Sequence, residues 1–284
     1  MKSLVVPSTE EIKRAIAISE SIVKIPNYLQ YFFPIVSYKK LFLSQQGENT
    51  GDFIPIQDEK PFYMVTLPNP SLYRHDYEIT LPNVLFSLQY LLKSIQYLIN
   101  YKIAHLNIAG ESIMYTKNLI PCISNFTYSY TFPLTNEERK SFQPSSLLHL
   151  PLEVFAISFI NRKTLSSLSD KNIDDIVAEY SGSLSLFPED ILNRLKEAGA
   201  EFLRTFRNRS KQEILDGLFS FWKSWDCYSL SLYYYKILGT LEQTPFLLQL
   251  QAILIENMDS VAGNRNTIQE TMDKITKIIH SYNG

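Results

Sequence analysis

The sequence predicts an α+β fold in which a small β-containing region precedes a larger helical one. Three observations carry this: short β-like runs at Lys40–Ser44 and Phe62–Leu67, one long helical period from Leu81 to Ile99, and helical character throughout beyond about residue 150. At 284 residues and 45% hydrophobic, the chain suits one large domain or a two-lobed one with a substantial core. Lysine and arginine total 27 against 29 acidic residues, and a net charge of -2 gives no reason for broad attraction to nucleic acid or anionic lipid. Cys122 and Cys227 show no paired spacing, so neither a disulfide framework nor a zinc site is indicated. The apolar run in Met1–Pro7 is too short for a signal peptide, and no apolar stretch approaches membrane-spanning length. A cytoplasmic location is therefore expected.

Residues 8–24 read as a helix capped by Ser8 or Thr9, with Ile12, Ile16, Ser19 and Val23 on one face and Pro26 as the stop. The polar loop Gln45–Asp52 separates the two β-like runs. From Leu81, apolar residues at steps of three and four (Val84, Leu85, Leu88, Leu91, Leu92, Ile95, Leu98) mark one continuous core helix. Ile113–Tyr115 and Leu119–Ile123 then read as strands joined by a turn at Thr116–Asn118. Farther on, helices are expected over 170–180 and over 188–206, with Pro188 in the first turn of the second. Thr267 and Glu270 form a capping box for a last helix that carries Ile268, Met272, Ile275 and Ile279. Three consecutive tyrosines, 233 to 235, span most of a helix circumference and predict a helix surrounded by protein.

Immediately after the long helix stands His105-Leu106-Asn107-Ile108-Ala109-Gly110-Glu111-Ser112, followed by Ser124-Asn125-Phe126-Thr127. These segments resemble the catalytic loop and the metal-binding DFG motif of protein kinases, and Asn125 follows Ser112 by thirteen positions, the family spacing. Pro151-Leu152-Glu153 is similar to the end of the activation segment, Trp225-Asp226 to the start of the buried helix of the large lobe, and Arg265 to the arginine that pairs with the activation-segment glutamate. The resemblance covers almost the whole chain and is nearest to divergent kinase-like proteins of large DNA viruses. It implies a two-lobed fold, with a reduced N-lobe over 1–69 containing the regulatory helix, and a helical C-lobe over 70–284 with an insertion at about 154–215. Seventy-three residues separate Glu153 from Asp226, and the extra length either patches the C-lobe or binds a partner.

Within this resemblance the positions that perform chemistry are altered. Phosphoryl transfer needs a carboxylate to take the substrate proton and oxygen ligands to hold magnesium. Asn107 occupies the proton-acceptor position, Ala109 the phosphate-contacting lysine, and Ser112 and Asn125 the metal ligands. A neutral amide is no base, and its attraction for a hard cation is far below a carboxylate's. Thr127 in the motif's glycine position disfavours a positive φ there. No G-x-G-x-x-G occurs, Lys2 is the nearest remnant of a strand lysine, and the regulatory-helix glutamate falls near Ala15, with Glu11 and Glu20 close by. Scaffold positions persist in His105, Phe126, Glu153, Asp226 and Arg265. What the resemblance implies is a viral pseudokinase without metal or cofactor, which binds a protein partner in the host cytoplasm, a virus factory or the virion. Nucleic acid and membrane are not expected partners, and weak metal-independent nucleotide binding stays open. The alternative is a residual phosphotransferase that uses Glu111 to hold metal. The basic run from Arg204 to Lys211 reads as a solvated helix end rather than a phosphate site.

Overall fold

The computed structural model describes residues 1–41, 44–46, 53–55, 62–68, 73–74, 78–144 and 149–283. The expected domain boundary at 69–70 and most of the expected loop over 45–52 lie outside them. Strand β1 (Lys2–Pro7) leads into helix α1 (Glu10–Ile22), followed by β2 (Phe32–Phe33), β3 (Ser37–Leu41), β4 (Ser44–Gln46), β5 (Phe53–Pro55), β6 (Phe62–Leu67) and β7 (Tyr73–Arg74). Helix α2 (Leu81–Asn100) comes next, then β8 (Ile103–Ala104), β9 (Ile113–Thr116), β10 (Pro121–Ser124) and β11 (Tyr130–Thr131). The rest is helical: α3 (Asn136–Ser141), α4 (Leu152–Arg162), α5 (Asp170–Ser183), α6 (Glu189–Arg204), α7 (Lys211–Phe219), α8 (Trp225–Leu238), α9 (Pro245–Asn257) and α10 (Ile268–Asn283). The fold is α+β, with small sheets and a predominance of helix.

Helix α1 is shorter than expected at both ends. Thr9 caps it by accepting the Ile12 N–H at 3.3 Å, and Glu10 and Glu11 complement the first turn. It closes at Val23, three residues before Pro26, and buries Ala15, Ile16, Ile18, Ser19 and Ile22, while Ile12 and Val23 at the edges of the expected face are only half-buried. The first strand, which the sequence shows only as an apolar stub, pairs antiparallel with β6, and β3 pairs on the other side of β6, for an order of β1-β6-β3. Of the strand expected over 40–44, Lys40 and Leu41 belong to β3, which begins earlier because Ser37 to Leu41 all have partners on β6 from Thr66 to Phe62; residues 42–43 lie outside the described residues, and Ser44 opens β4, which pairs with β5.

The long helix matches its period at Val84, Leu88, Leu91, Leu92, Ile95 and Leu98, all fully buried, while Leu81, Leu85 and Ile99 of the expected stripe are half-buried. It packs beside a second sheet of order β2-β10-β9-β7, in which β2 and β10 are parallel. The strand expected from Leu119 starts at Pro121, because Leu119 takes a left-handed φ of 63° in the turn and donates its N–H to the Thr116 carbonyl.

Around α8 protein packs on nearly every side: Trp225 through Leu232, Tyr234, Ile237 and Leu238 are buried, Tyr233 and Tyr235 half-buried, and Lys236 exposed. Helix α4 is apolar through most of Leu152–Ile160 and equally buried. The two helices expected over 170–180 and 188–206 are α5 and α6; Pro188, in extended conformation with ψ 149°, precedes the first turn instead of lying in it. Arg204 and Arg207 at the end of the second reach Asp170 at 3.9 and 3.0 Å, exposed pairs of small energetic weight. The capping box at α10 is formed, with Glu270 accepting the Thr267 N–H at 2.7 Å and Thr267 accepting the Glu270 N–H at 3.2 Å.

Gly199 lets α6 approach the core, since a Cβ there would lie 2.8 Å from Leu152 Cδ2 and 3.3 Å from Ser260 Cβ. Gly199→Ala is therefore expected to cost about 1–3 kcal/mol despite alanine's better helix propensity. Denaturant midpoints check this: a variant as stable as the parent would mean that the contact relaxes freely.

Candidate functional site

Two segments far apart in sequence meet beneath α2. The Asp226 carboxylate, at the first turn of α8, accepts the backbone N–H groups of His105 at 2.7 Å and of Leu106 at 2.9 Å. Leu106 sits at φ 61°, a left-handed conformation that costs a leucine on the order of 1 kcal/mol or more, and the carboxylate is what holds it. The His105 ring is fully buried. Its Nε2 donates to the Ser124 carbonyl at 2.8 Å while Nδ1 accepts the Asn107 N–H at 3.3 Å, which selects the neutral tautomer with the proton on Nε2. Phe126 packs edge-on against this ring at 5.0 Å. Burial pushes the imidazole down to about 4, with the Ser124 bond acting in opposition. Burial also pushes Asp226 up to about 6, against the two N–H bonds that favour its charged form.

Ser124 is the clamp that the sequence does not advertise: besides receiving His105, its Oγ donates to the Ser112 carbonyl at 3.0 Å. Together with β9–β10 pairing of Ile113 with Ile123, this ties the 105–112 loop to the 124–127 segment. The Ser112 hydroxyl is buried and turned inward, donating to the Ala109 carbonyl at 2.9 Å and accepting the Ala109 N–H at 3.0 Å. Asn125 is exposed at φ 61°, with its Oδ1 accepting the Thr127 hydroxyl at 2.6 Å. The left-handed residue of this segment is thus the asparagine, while Thr127 sits inside a 3-10 turn. Asn107 is half-buried, and its Nδ2 lies 3.4 Å from the exposed Glu111 carboxylate. Side-chain oxygens at 112 and 125 are therefore already engaged, and among the described residues no three His, Cys, Asp or Glu side chains gather as a metal site.

A cavity of about 330 Å³ lies beside Asn125 and Phe126, bounded by Leu4, Val6, Ala15 and Val65. Leu4 and Val6 from β1 line it, and the exposed Lys2 does not. Ala15 faces it from α1. Glu11 and Glu20 are exposed away from it, and Glu20 accepts the Tyr38 hydroxyl at 3.1 Å. Among the described residues none that lines this cavity carries a charge, so nothing in these walls would neutralise a polyphosphate.

On the other side of α8, Glu153 and Arg265 form a bidentate ion pair at 2.8 and 2.7 Å, with side chains 0% and 1% exposed. The guanidinium is held on further sides: Nε donates to the Asp259 carbonyl at 2.7 Å, a terminal nitrogen to Ser224 Oγ at 3.0 Å, and its central carbon lies 5.2 Å from the Tyr228 ring centroid. Although burial opposes it, Glu153 holds the Arg265 charge firmly in place. The sequence gives no hint of Tyr180, whose hydroxyl lies 3.1 Å from that of Tyr228 and 3.3 Å from Ser260 Oγ and closes the surround.

No protein-family model matches the chain, and no curated protein matches it. Among the described residues no helix is long and apolar enough to cross a membrane.

Proposed function

We propose that this chain is a catalytically inactive protein of kinase-like, two-lobed fold that works as a protein-binding scaffold. What supports the reading is one contrast. The buried supports (Asp226 on the His105 loop, Glu153 on Arg265) are made in full, while Asn107, Ala109, Ser112 and Asn125 offer no carboxylate where a phosphotransferase would need one. The oxygens at 112 and 125 are committed to their own neighbours, and the adjacent cavity is uncharged among the described residues. Loss of general-base help alone removes roughly 10²–10⁴ in rate. A cytoplasmic setting within an infected cell belongs to the same proposal, as do the N-lobe over 1–69 and the inserted helices of about 154–215 as a platform for a partner.

Incubation with radiolabelled ATP and magnesium or manganese is expected to give no transfer to the chain itself or to generic protein acceptors. ATP is likewise expected to produce no magnesium-dependent rise in melting temperature. The second reading, a residual phosphotransferase, draws on the exposed Glu111 carboxylate beside Asn107. Metal-dependent transfer that disappears in Glu111→Gln would establish that reading and overturn ours.

A further inference from the structure

Away from the His105 loop, a second cavity of about 460 Å³ opens where α7 meets the end of α2 and the segment after β11. Its floor is aromatic and ordered: Phe132 stacks on Trp222 with centroids 4.7 Å apart and planes within 6°, and Phe219 lies beside them at 6.2 Å from Phe132. Its rim is cationic. Lys102, Lys223 and Arg139 line it against a single acid, Asp216, and Arg139 is paired with that acid. Neither lysine side chain makes an ion pair or hydrogen bond among the described residues, and both are exposed.

Helix chemistry explains part of this charge but not all of it. Lys102 follows the end of α2 and Lys223 follows the end of α7, where the carbonyl ends carry about half a negative charge each. Three cations against one acid and two such ends still leave the pocket positive, on a chain whose net charge is -2. An aromatic floor with a cationic rim suits a ligand that brings an apolar side chain flanked by carboxylates. A nucleic-acid strand is disfavoured, since it draws its affinity from many phosphate contacts in series and meets here only two uncommitted cations on an acidic protein.

We propose that this pocket docks an acidic peptide segment of a partner protein, with an aromatic or large aliphatic residue seated on Phe132 and Trp222 and its flanking carboxylates on Lys102 and Lys223. The proposal rests on the scaffold reading only in naming the class of partner. One wall of the pocket comes from α7, through Asp216 and Phe219.

The test is fluorescence anisotropy of a labelled short peptide of aspartate and glutamate around one central phenylalanine, titrated with the full chain. Saturable binding is expected, weakening as salt rises from about 50 to about 500 mM. Lys102→Glu with Lys223→Glu changes only exposed side chains and is expected to weaken binding about tenfold or more, with a fall in melting temperature of only a few degrees from the two helix ends, while Lys102→Gln with Lys223→Gln weakens binding in the same direction and spares those ends. Replacing the peptide's phenylalanine by serine, or its acids by their amides, is expected to do the same. Equal binding by the charge-reversed variant, equal binding of the amide peptide, or no saturable binding would overturn the proposal. So would tighter, equally mutation-sensitive binding of a single-stranded oligonucleotide. Failure of the peptide to bind leaves the absence of phosphoryl transfer as expected, whereas phosphorylation of a bound peptide would leave the pocket standing and remove the inactive reading.

Discussion

Glu153→Gln and Arg265→Met are each expected to lower stability by about 3–5 kcal/mol, because either one strands a charge or a fork of donors in a buried site. The magnitude follows from the burial, with both side chains at or below 1% exposure, and from the bidentate geometry at 2.7 and 2.8 Å. In a chain of this size roughly 2–4 °C of melting temperature is lost per kcal/mol, so the effect is large in any thermal scan. Arg265→Met also releases the Asp259 carbonyl and Ser224 hydroxyl from their donors. The double variant Glu153→Gln with Arg265→Met removes both charges together and is expected to be far less damaged than the sum of the single losses. Strict additivity across this cycle would show that the pair contributes nothing as a pair.

The second large effect is a change in pH dependence on Asp226→Asn. Asp226 is raised from its ordinary 3.8 up to about 6, so between those values the folded chain holds a proton that the unfolded chain has released, and stability falls as pH rises through the window. His105 is depressed from 6.5 to about 4, so between those values the unfolded chain takes up a proton that the folded chain refuses, and stability falls as pH drops. Each shift corresponds to about 3 kcal/mol, and the slopes are opposite over nearly the same range. The parent is therefore expected to be almost flat there in respect of these two groups. Asp226→Asn removes one slope and leaves the other. It should lose about 1–3 kcal/mol at neutral pH, since an amide cannot accept both N–H groups, and then weaken steeply as pH falls toward about 4. His105→Phe should show the reverse slope, gaining stability as pH falls from about 6 to about 4. Urea midpoints across this range measure all three, and parallel profiles would mean that neither group titrates where its burial puts it.

Legibility in the sequence tracked the amount of periodic contrast. Helix α2 shows a clean apolar stripe at Val84, Leu88, Leu91, Leu92, Ile95 and Leu98, and every one of these side chains is buried. The capping box at Thr267 and Glu270 rests on two side chains and their own backbone, and such local chemistry needs no knowledge of the tertiary fold. Helix α4 is the opposite case, since Val154, Phe155, Ala156, Ile157, Phe159 and Ile160 are buried together and leave no polar face to give the turn away. At the site, Asp226 and Glu153 were legible only through the family resemblance of Trp225-Asp226 and Pro151-Leu152-Glu153. Ser124, Ser112 and Tyr180 were not legible as supports, because a serine or tyrosine that satisfies a buried partner looks in sequence like one that faces water.

The tie between Asp226 and His105 spans 121 residues, and the tie between Arg265 and Glu153 spans 112. Synthesis adds roughly 5–20 residues per second, so each earlier partner waits on the order of 6–24 s for the later one to be made. During that interval the Leu106 backbone has no carboxylate to hold its left-handed turn, and the apolar face of α2 has no α8 to lie against. The nascent chain thus emerges carrying a finished apolar helix and an unfinished loop, and its exposure to chaperones and to proteolysis is set by the distance in sequence between residues that end up touching.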